Sequence, residues 1–163
     1  MKDKKFGIGI VGCGMISYFH ANAISDLEDA RLVGVFSDRK DAAEKFTAEF
    51  DAKIFDTYED MLASPDIDIV SICTPSGLHS RFAVQAAEAG KHIIVEKPLA
   101  ITREQLADIA DACKKNSVKL AVISQHRFSP AIQFVKKAID DGVFGKILIV
   151  DLNMKYYRTP ANC

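Results

Sequence analysis

Glu96-Lys97-Pro98 directly follows the apolar run His92-Ile-Ile-Val95. Two charged residues directly after an apolar strand lie at the edge where open α/β sheets place ligands, and a lysine simply exposed at a strand end is the plainer reading. The second group with chemically meaningful spacing is Gly12-Cys13-Gly14-Met15-Ile16-Ser17. It lies between the apolar run Phe6–Val11 and a segment of helical periodicity. In the pattern G-x-G-x-x-G/A the first glycine makes a tight turn and the second lets a pyrophosphate approach the backbone. The third lets helix and strand pack closely. Ser17 departs from the third position but is small, and the N–H groups at the start of a helix still face a phosphate. Gly12, Gly14, Met15 and Ile16 are therefore candidate cofactor-binding residues.

A strand ending at Phe36 puts Ser37-Asp38-Arg39 roughly 20 residues past the loop, where a ribose is read. Asp38 would accept from ribose hydroxyls and repel a 2′-phosphate, which favours NAD. Ser37 in the reading position, or Arg39 with Lys40 pairing a phosphate, leaves NADP open. The plainer role for Asp38 is to cap the next helix.

The elements that must hold these groups alternate between two hydrophobic periods. Strand patterns cover Phe6–Val11, Leu32–Phe36, the surroundings of Ile54, Ile67–Cys73, His92–Val95 and Lys119–Ile123. Helical spacing covers Met15–Leu27, with Ile16, Phe19, Ala23, Ile24 and Leu27 on its apolar side, and Asp38–Phe50, with Ala42, Ala43, Phe46 and Phe50. A short helical turn lies near Asp60–Leu62. Further helices are Leu78–Ala89, closed by Gly90, and Thr102–Lys115, opened by a Thr102/Gln105 capping box. Strands separated by helices of this length predict an α/β fold, a doubly wound parallel sheet of Rossmann type. After Ser124 the character changes. Pro130–Asp141 reads as a helix, and Lys146–Tyr156 alternates. Leu148, Val150, Leu152, Met154 and Tyr156 face one way, as a half-buried antiparallel strand would arrange them. The expected organisation is a dinucleotide-binding domain over residues 1–124. Residues 125–163 would supply a connecting helix and the first strand of a second, truncated α+β substrate domain.

Composition excludes several classes. The 163 residues carry 21 Lys+Arg against 22 Asp+Glu, a net charge of −1 without the basic excess of a nucleic-acid binder. No apolar run approaches the roughly 20 residues of a membrane span. Cys13, Cys73, Cys113 and Cys163 form no metal-ligand spacing, and the chain start resembles no cleavable leader. A reduced, cytoplasmic protein is expected.

Taken together, these segments resemble the glucose–fructose oxidoreductase/inositol dehydrogenase (Gfo/Idh/MocA) family. The matching segments are Gly12–Ser17 with His20, Cys73-Thr-Pro-Ser-Gly-Leu-His79, Ala89-Gly-Lys-His-Ile-Ile-Val-Glu-Lys-Pro98 and Gln125-His-Arg127. The resemblance implies an NAD(P)-dependent oxidoreductase that moves a hydride between a sugar or polyol hydroxyl and nicotinamide. It implies that Thr74, Pro75, Ser76 and His79 line the cofactor groove, and that Gln125 belongs to the cofactor site. Glu96 would lie near the nicotinamide end, and Lys97 would bond the reacting hydroxyl as the catalytic residue. Asp140–Ile147 and Tyr156-Tyr157-Arg158 look most like the branch acting on nucleotide-linked sugar acids or inositol-type polyols. Family members carry a further catalytic Asp and His on a helix downstream of that segment, beyond Cys163. They commonly pair their second-domain sheets, so a homo-oligomer is expected. The sequence leaves two other readings standing: a noncatalytic NAD(H)-binding module, and an interaction protein that docks a partner on the Lys146–Tyr156 face.

Overall fold

The computed structural model describes residues 5–153, 155 and 157. The chain divides into two compact units, Met1–Ser124 and Gln125–Cys163.

In the first unit the apolar runs form strands β1 (Phe6–Val11), β2 (Ala30–Phe36), β3 (Lys53–Ile54), β4 (Ile69–Ile72), β5 (His92–Val95) and β6 (Leu120–Val122). All pair in parallel, in the order β3-β2-β1-β4-β5-β6. The helices between them are α1 (Met15–Ser25), α2 (Lys40–Thr47), α3 (Tyr58–Ala63), α4 (His79–Glu88) and α5 (Arg103–Lys115). Parallel neighbours need a crossover between them, and the crossovers cover both faces of the sheet. Accordingly the core is two clusters. One gathers Ile8, Ile10, Ala21, Ile24, Val35, Ala43 and Phe46. The other gathers Val11, Tyr58, Met61, Val70, Ile72, Phe82, Ile93 and Ile109. The order of the strands reverses between β1 and β4, which opens a crevice at their carboxyl ends.

Local chemistry sets the helix ends. Thr57 and Thr102 accept from the backbone N–H groups of Asp60 and Gln105 and so start α3 and α5. The Gln105 side chain reaches back to Ile101 N–H, one residue before the cap, at 3.1 Å. The box is thus displaced by one residue from its expected partner.

Three expectations change. In α1 the residues against the sheet are Ser17, Ala21 and Ile24, while Met15 and Phe19 are 82% and 66% exposed. The spacing i, i+4, i+7 is right, but close approach of helix to sheet selects small side chains over the larger apolar ones on the neighbouring stripe. Secondly, α2 starts at Lys40 with Arg39 at its N-cap and no side-chain cap, so Asp38 does not cap it.

The third change is in the second unit. It holds a 3-10 turn, Gln125–Phe128, and α6 (Pro130–Asp140), whose N-cap Ser129 accepts from Ile132 N–H. The strand expected over Lys146–Tyr156 is absent among the described residues, where Leu148, Ile149 and Val150 are exposed. Alternation marks which side chains would share a face, but a strand also requires a ladder of partners. All six strands of the sheet belong to the first unit. Met154, Tyr156, Arg158 and Cys163 lie outside the described residues.

Candidate functional site: a dinucleotide crevice

Val11 pairs with Phe36 on one side and Ile72 on the other, so three strand ends meet where β1 stops. Gly12 turns the chain there with φ +88°, and its N–H donates to Phe36 O at 2.8 Å. A Cβ on Gly12 would lie 3.0 Å from both Cys73 O and Thr74 N. Glycine is required twice over, for the backbone angle and for the close approach.

Gly14 answers a different need. Its φ of −84° suits any residue, and nothing lies within 4 Å of the place its Cβ would take. It is the N-cap of α1, a helix start with no side-chain cap and no acidic residue in its first turn. The leading N–H groups of a helix have no carbonyl of their own to reach. An open space in front of them is what an anion requires. Ser17 serves as the third small residue: it is fully buried, and its hydroxyl donates to Gly14 O at 2.5 Å.

The crevice beside this turn has a volume of about 330 Å³. It brings together Gly12 and Gly14, the β2 end at Ser37, Asp38 and Arg39, and the β4 end at Thr74 and Pro75. Thr74 Oγ1 is buried there without a hydrogen-bond partner among the described residues. Ser37 Oγ accepts from Arg39 N–H at 3.2 Å, and the Arg39 guanidinium donates to Asp41 at 2.7 Å. An uncapped helix start, open space at Gly14 and an unpaired hydroxyl all fit a dinucleotide with its pyrophosphate at the turn. Two thiols also line the crevice. Burial pushes Cys13 up to about 11 despite a bond with Ser37, and pushes Cys73 up to about 12.

Further along the carboxyl edge, β5 delivers Glu96 and Lys97. Glu96 is buried, and its Oε1 accepts from His20 Nε2 at 3.1 Å. Its Oε2 accepts from Lys97 N–H at 3.2 Å and stands 4.0 Å from Lys97 Nζ. Because a carboxylate only accepts, His20 carries its hydrogen on Nε2, and Nδ1 receives the Ser71 hydroxyl at 2.8 Å. The result is a directed chain, Ser71 to His20 to Glu96, drawn from β4, α1 and the end of β5. Lys97 is the outermost member, its side chain 56% exposed.

The remaining sequence-designated residues fall elsewhere. Met15 is exposed and Ile16 half-buried on the first turn of α1, and Ser76 opens a 3-10 turn, Ser76–Leu78. His79 sits behind the groove wall, 1% exposed, with Nδ1 2.7 Å from Pro98 O and Nε2 2.9 Å from Thr74 O. A neutral ring can donate to only one of these carbonyls. His79 thus braces the Thr74 loop against the segment after Lys97. Gln125 opens the 3-10 turn of the second unit. Ser71 was missed altogether. Its signal was a polar residue in the middle of the apolar run Ile67–Cys73, which only a specific partner makes tolerable in a central strand.

Residues 6–124 match the family model GFO_IDH_MocA, described as an oxidoreductase family with an NAD-binding Rossmann fold. The chain belongs to this family. It is 35% identical over 152 residues to inositol 2-dehydrogenase of Rhizobium meliloti (strain 1021), covering 93% of this chain and 46% of that enzyme. It is 31% identical over 148 residues to glucose-6-phosphate 3-dehydrogenase of Bacillus subtilis (strain 168), covering 91% and 42%. Among solved structures, the WlbA dehydrogenase from Bordetella pertussis in complex with NADH and UDP-GlcNAcA superposes with a TM-score of 0.85 at 38% identity. That likeness covers 90% of this chain and 42% of the other. The chain spans less than half the length of each of these relatives.

Proposed function

We propose that this chain is the cofactor-binding part of an NAD(P)-dependent oxidoreductase acting on a hydroxyl of a sugar or polyol. The observation that carries the reading is Gly14: open space in front of an uncapped helix start, at the point where the strand order reverses. In this reading residues 1–124 are the cofactor domain, and residues 125–163 belong to a substrate domain.

Gly14, Met15 and Ile16 hold the pyrophosphate through backbone N–H groups, and Gly12, whose own N–H is bonded to Phe36 O, makes the turn that brings them there. Asp38 and Ser37 take the ribose, and Thr74 and Pro75 form the opposing wall. A nicotinamide bound in the crevice would supply the hydride acceptor, so that loss of hydride from carbon and of a proton from oxygen would turn an alcohol into a carbonyl. Lys97 would receive the hydroxyl proton at Nζ as the neutral amine, with Glu96 Oε2 4.0 Å away. His79 acts from behind, by holding the two loops in register. The named relatives act on inositol or glucose 6-phosphate, or bind UDP-GlcNAcA, which supports a polyol or sugar hydroxyl as substrate.

Cys13, Cys73 and Cys113 are free thiols, which supports a cytoplasmic setting within this reading. Among the described residues no helix is long and apolar enough to cross a membrane. Self-association through the second unit belongs to the same reading, since Ile132, Val135 and Ile139 lie exposed on α6. A sedimentation profile that stays monomeric at high micromolar concentration would remove it.

The test of the whole reading is calorimetric titration of the chain with NADH and NADPH. The chain lacks tryptophan, so cofactor fluorescence gives a second signal free of indole background. Heat and fluorescence change with at least one dinucleotide are expected. A folded sample, shown so by circular dichroism, that binds neither overturns the reading.

A further inference from the structure

We propose that Asp41 sets the chain's preference for the dinucleotide without a 2′-phosphate, by engaging the guanidinium of Arg39 at the ribose end of the crevice. The inference rests on the reading of that crevice as a dinucleotide site. The β2 end carries Ser37-Asp38-Arg39-Lys40-Asp41, two cations among two carboxylates. Arg39 and Asp38 line the crevice, and Lys40 lines an adjoining cleft that shares Ser37 and Asp38 with it. An arginine here is the group that would fork onto a 2′-phosphate.

In this structure the fork is turned elsewhere. Arg39 Nη2 donates to Asp41 Oδ2 at 2.7 Å, inside the first turn of α2. Arg39 is the N-cap of α2, and its N–H is bonded to Ser37 Oγ. The shared hydrogen bond holds the Asp41 carboxyl below its usual range and the guanidinium above its own, so both partners are charged at neutral pH. A 2′-phosphate arriving here meets a guanidinium already neutralised, with the carboxylates of Asp38 and Asp41 close behind it. An unmodified ribose meets neither obstacle, since its hydroxyls can donate to Asp38.

The consequence is specific to one residue that lies outside the crevice wall. Asp41→Asn keeps the size of the side chain and removes its charge. NADPH affinity is expected to rise by about fivefold, the size of effect typical of one exposed charge contact, while NADH affinity stays within twofold. Arg39→Gln alone should lower the NADPH affinity, because it leaves the Asp41 carboxylate without its counter-charge. The double substitution Asp41→Asn/Arg39→Gln should lose the gain.

The experiment is titration of the 163-residue chain, these three variants and Asp38→Asn with NADH and NADPH, followed by cofactor fluorescence at fixed ionic strength. A ratio of the two affinities that does not move in Asp41→Asn overturns the proposal. So does a gain that survives in the double variant, or a gain produced by Asp38→Asn and not by Asp41→Asn. Binding of NADH by the unsubstituted chain separates these failures from failure of the dinucleotide reading itself, which would show as no binding of either cofactor.

Discussion

Gly14→Ala tests the crevice without disturbing the fold. The residue sits at φ −84° and ψ −177°, which alanine adopts freely, and nothing lies within 4 Å of the added methyl. Alanine narrows the unfolded ensemble, which stabilises by about 0.4–1 kcal/mol at a compatible site. It is a poorer N-cap than glycine, which costs a similar amount. The two nearly cancel, so thermal unfolding should shift by no more than a few degrees. The effect on the dinucleotide is of another size. A methyl group in the open space keeps the pyrophosphate from the N–H groups of the first turn, and charge-assisted hydrogen bonds contribute about 1.5–3 kcal/mol each. Loss of one such bond weakens NADH binding by roughly 10- to 150-fold. Gly12→Ala gives the contrast. There the methyl meets Cys73 O and Thr74 N at 3.0 Å with φ at +88°, so the fold itself should lose stability. The assay is a melting curve and an NADH titration on both variants. If Gly14→Ala binds NADH as tightly as the parent chain, the pyrophosphate does not rest at this turn and the assignment of the crevice fails.

Other outcomes follow from neighbouring groups. Ser71→Ala leaves His20 Nδ1 without its donor in a buried setting and should cost about 1–3 kcal/mol, read as a lower urea midpoint; an unchanged midpoint would mean the Ser71–His20 bond is dispensable. Lys97→Ala in the complete enzyme should abolish turnover with NADH affinity nearly intact, and undiminished turnover would remove Lys97 from the proton's path. The thiols make stability fall at alkaline pH. An unfolded thiol loses its proton near 9.0, whereas burial holds Cys13 and Cys73 protonated to about 11 and about 12. Above pH 9 the unfolded chain therefore binds fewer protons than the folded one, so the stability present below pH 9 drains away as pH rises. For Cys73 alone the slope is at most about 1.4 kcal/mol per pH unit. Burial pushes the Tyr58 hydroxyl the same way, adding to the loss. Urea midpoints that stay level between pH 8 and 10.5 would contradict this.

Much of the architecture was legible because parallel sheets announce themselves: central strands are apolar on both faces, and glycines or charges end them. Phe6–Val11 followed by Gly12, and His92–Val95 followed by Glu96 and Lys97, carry that pattern, and both form the strands expected. What the sequence hid depends on partners distant in the chain. The buried stripe of α1 is Ser17, Ala21 and Ile24, because contact with the sheet rewards small side chains more than hydrophobic ones. His20 and Ser71 are 51 residues apart in sequence, and no local pattern joins a histidine on a helix to a serine in a strand. His79 stands in the segment that suggests a groove wall, yet two carbonyl oxygens draw its ring into the interior. Lys146–Tyr156 alternates as a strand would, but periodicity cannot supply the neighbouring ladder.

The position of His20 on α1 carries a mechanical consequence. The first turn of that helix is where a phosphate would sit, and His20, five residues past Met15, grips the carboxylate adjoining Lys97. At a rise of 1.5 Å per residue those two points lie about 7.5 Å apart on one stiff rod. In the proposed reading, one short helix would join the seat of the cofactor to the carboxylate beside Lys97.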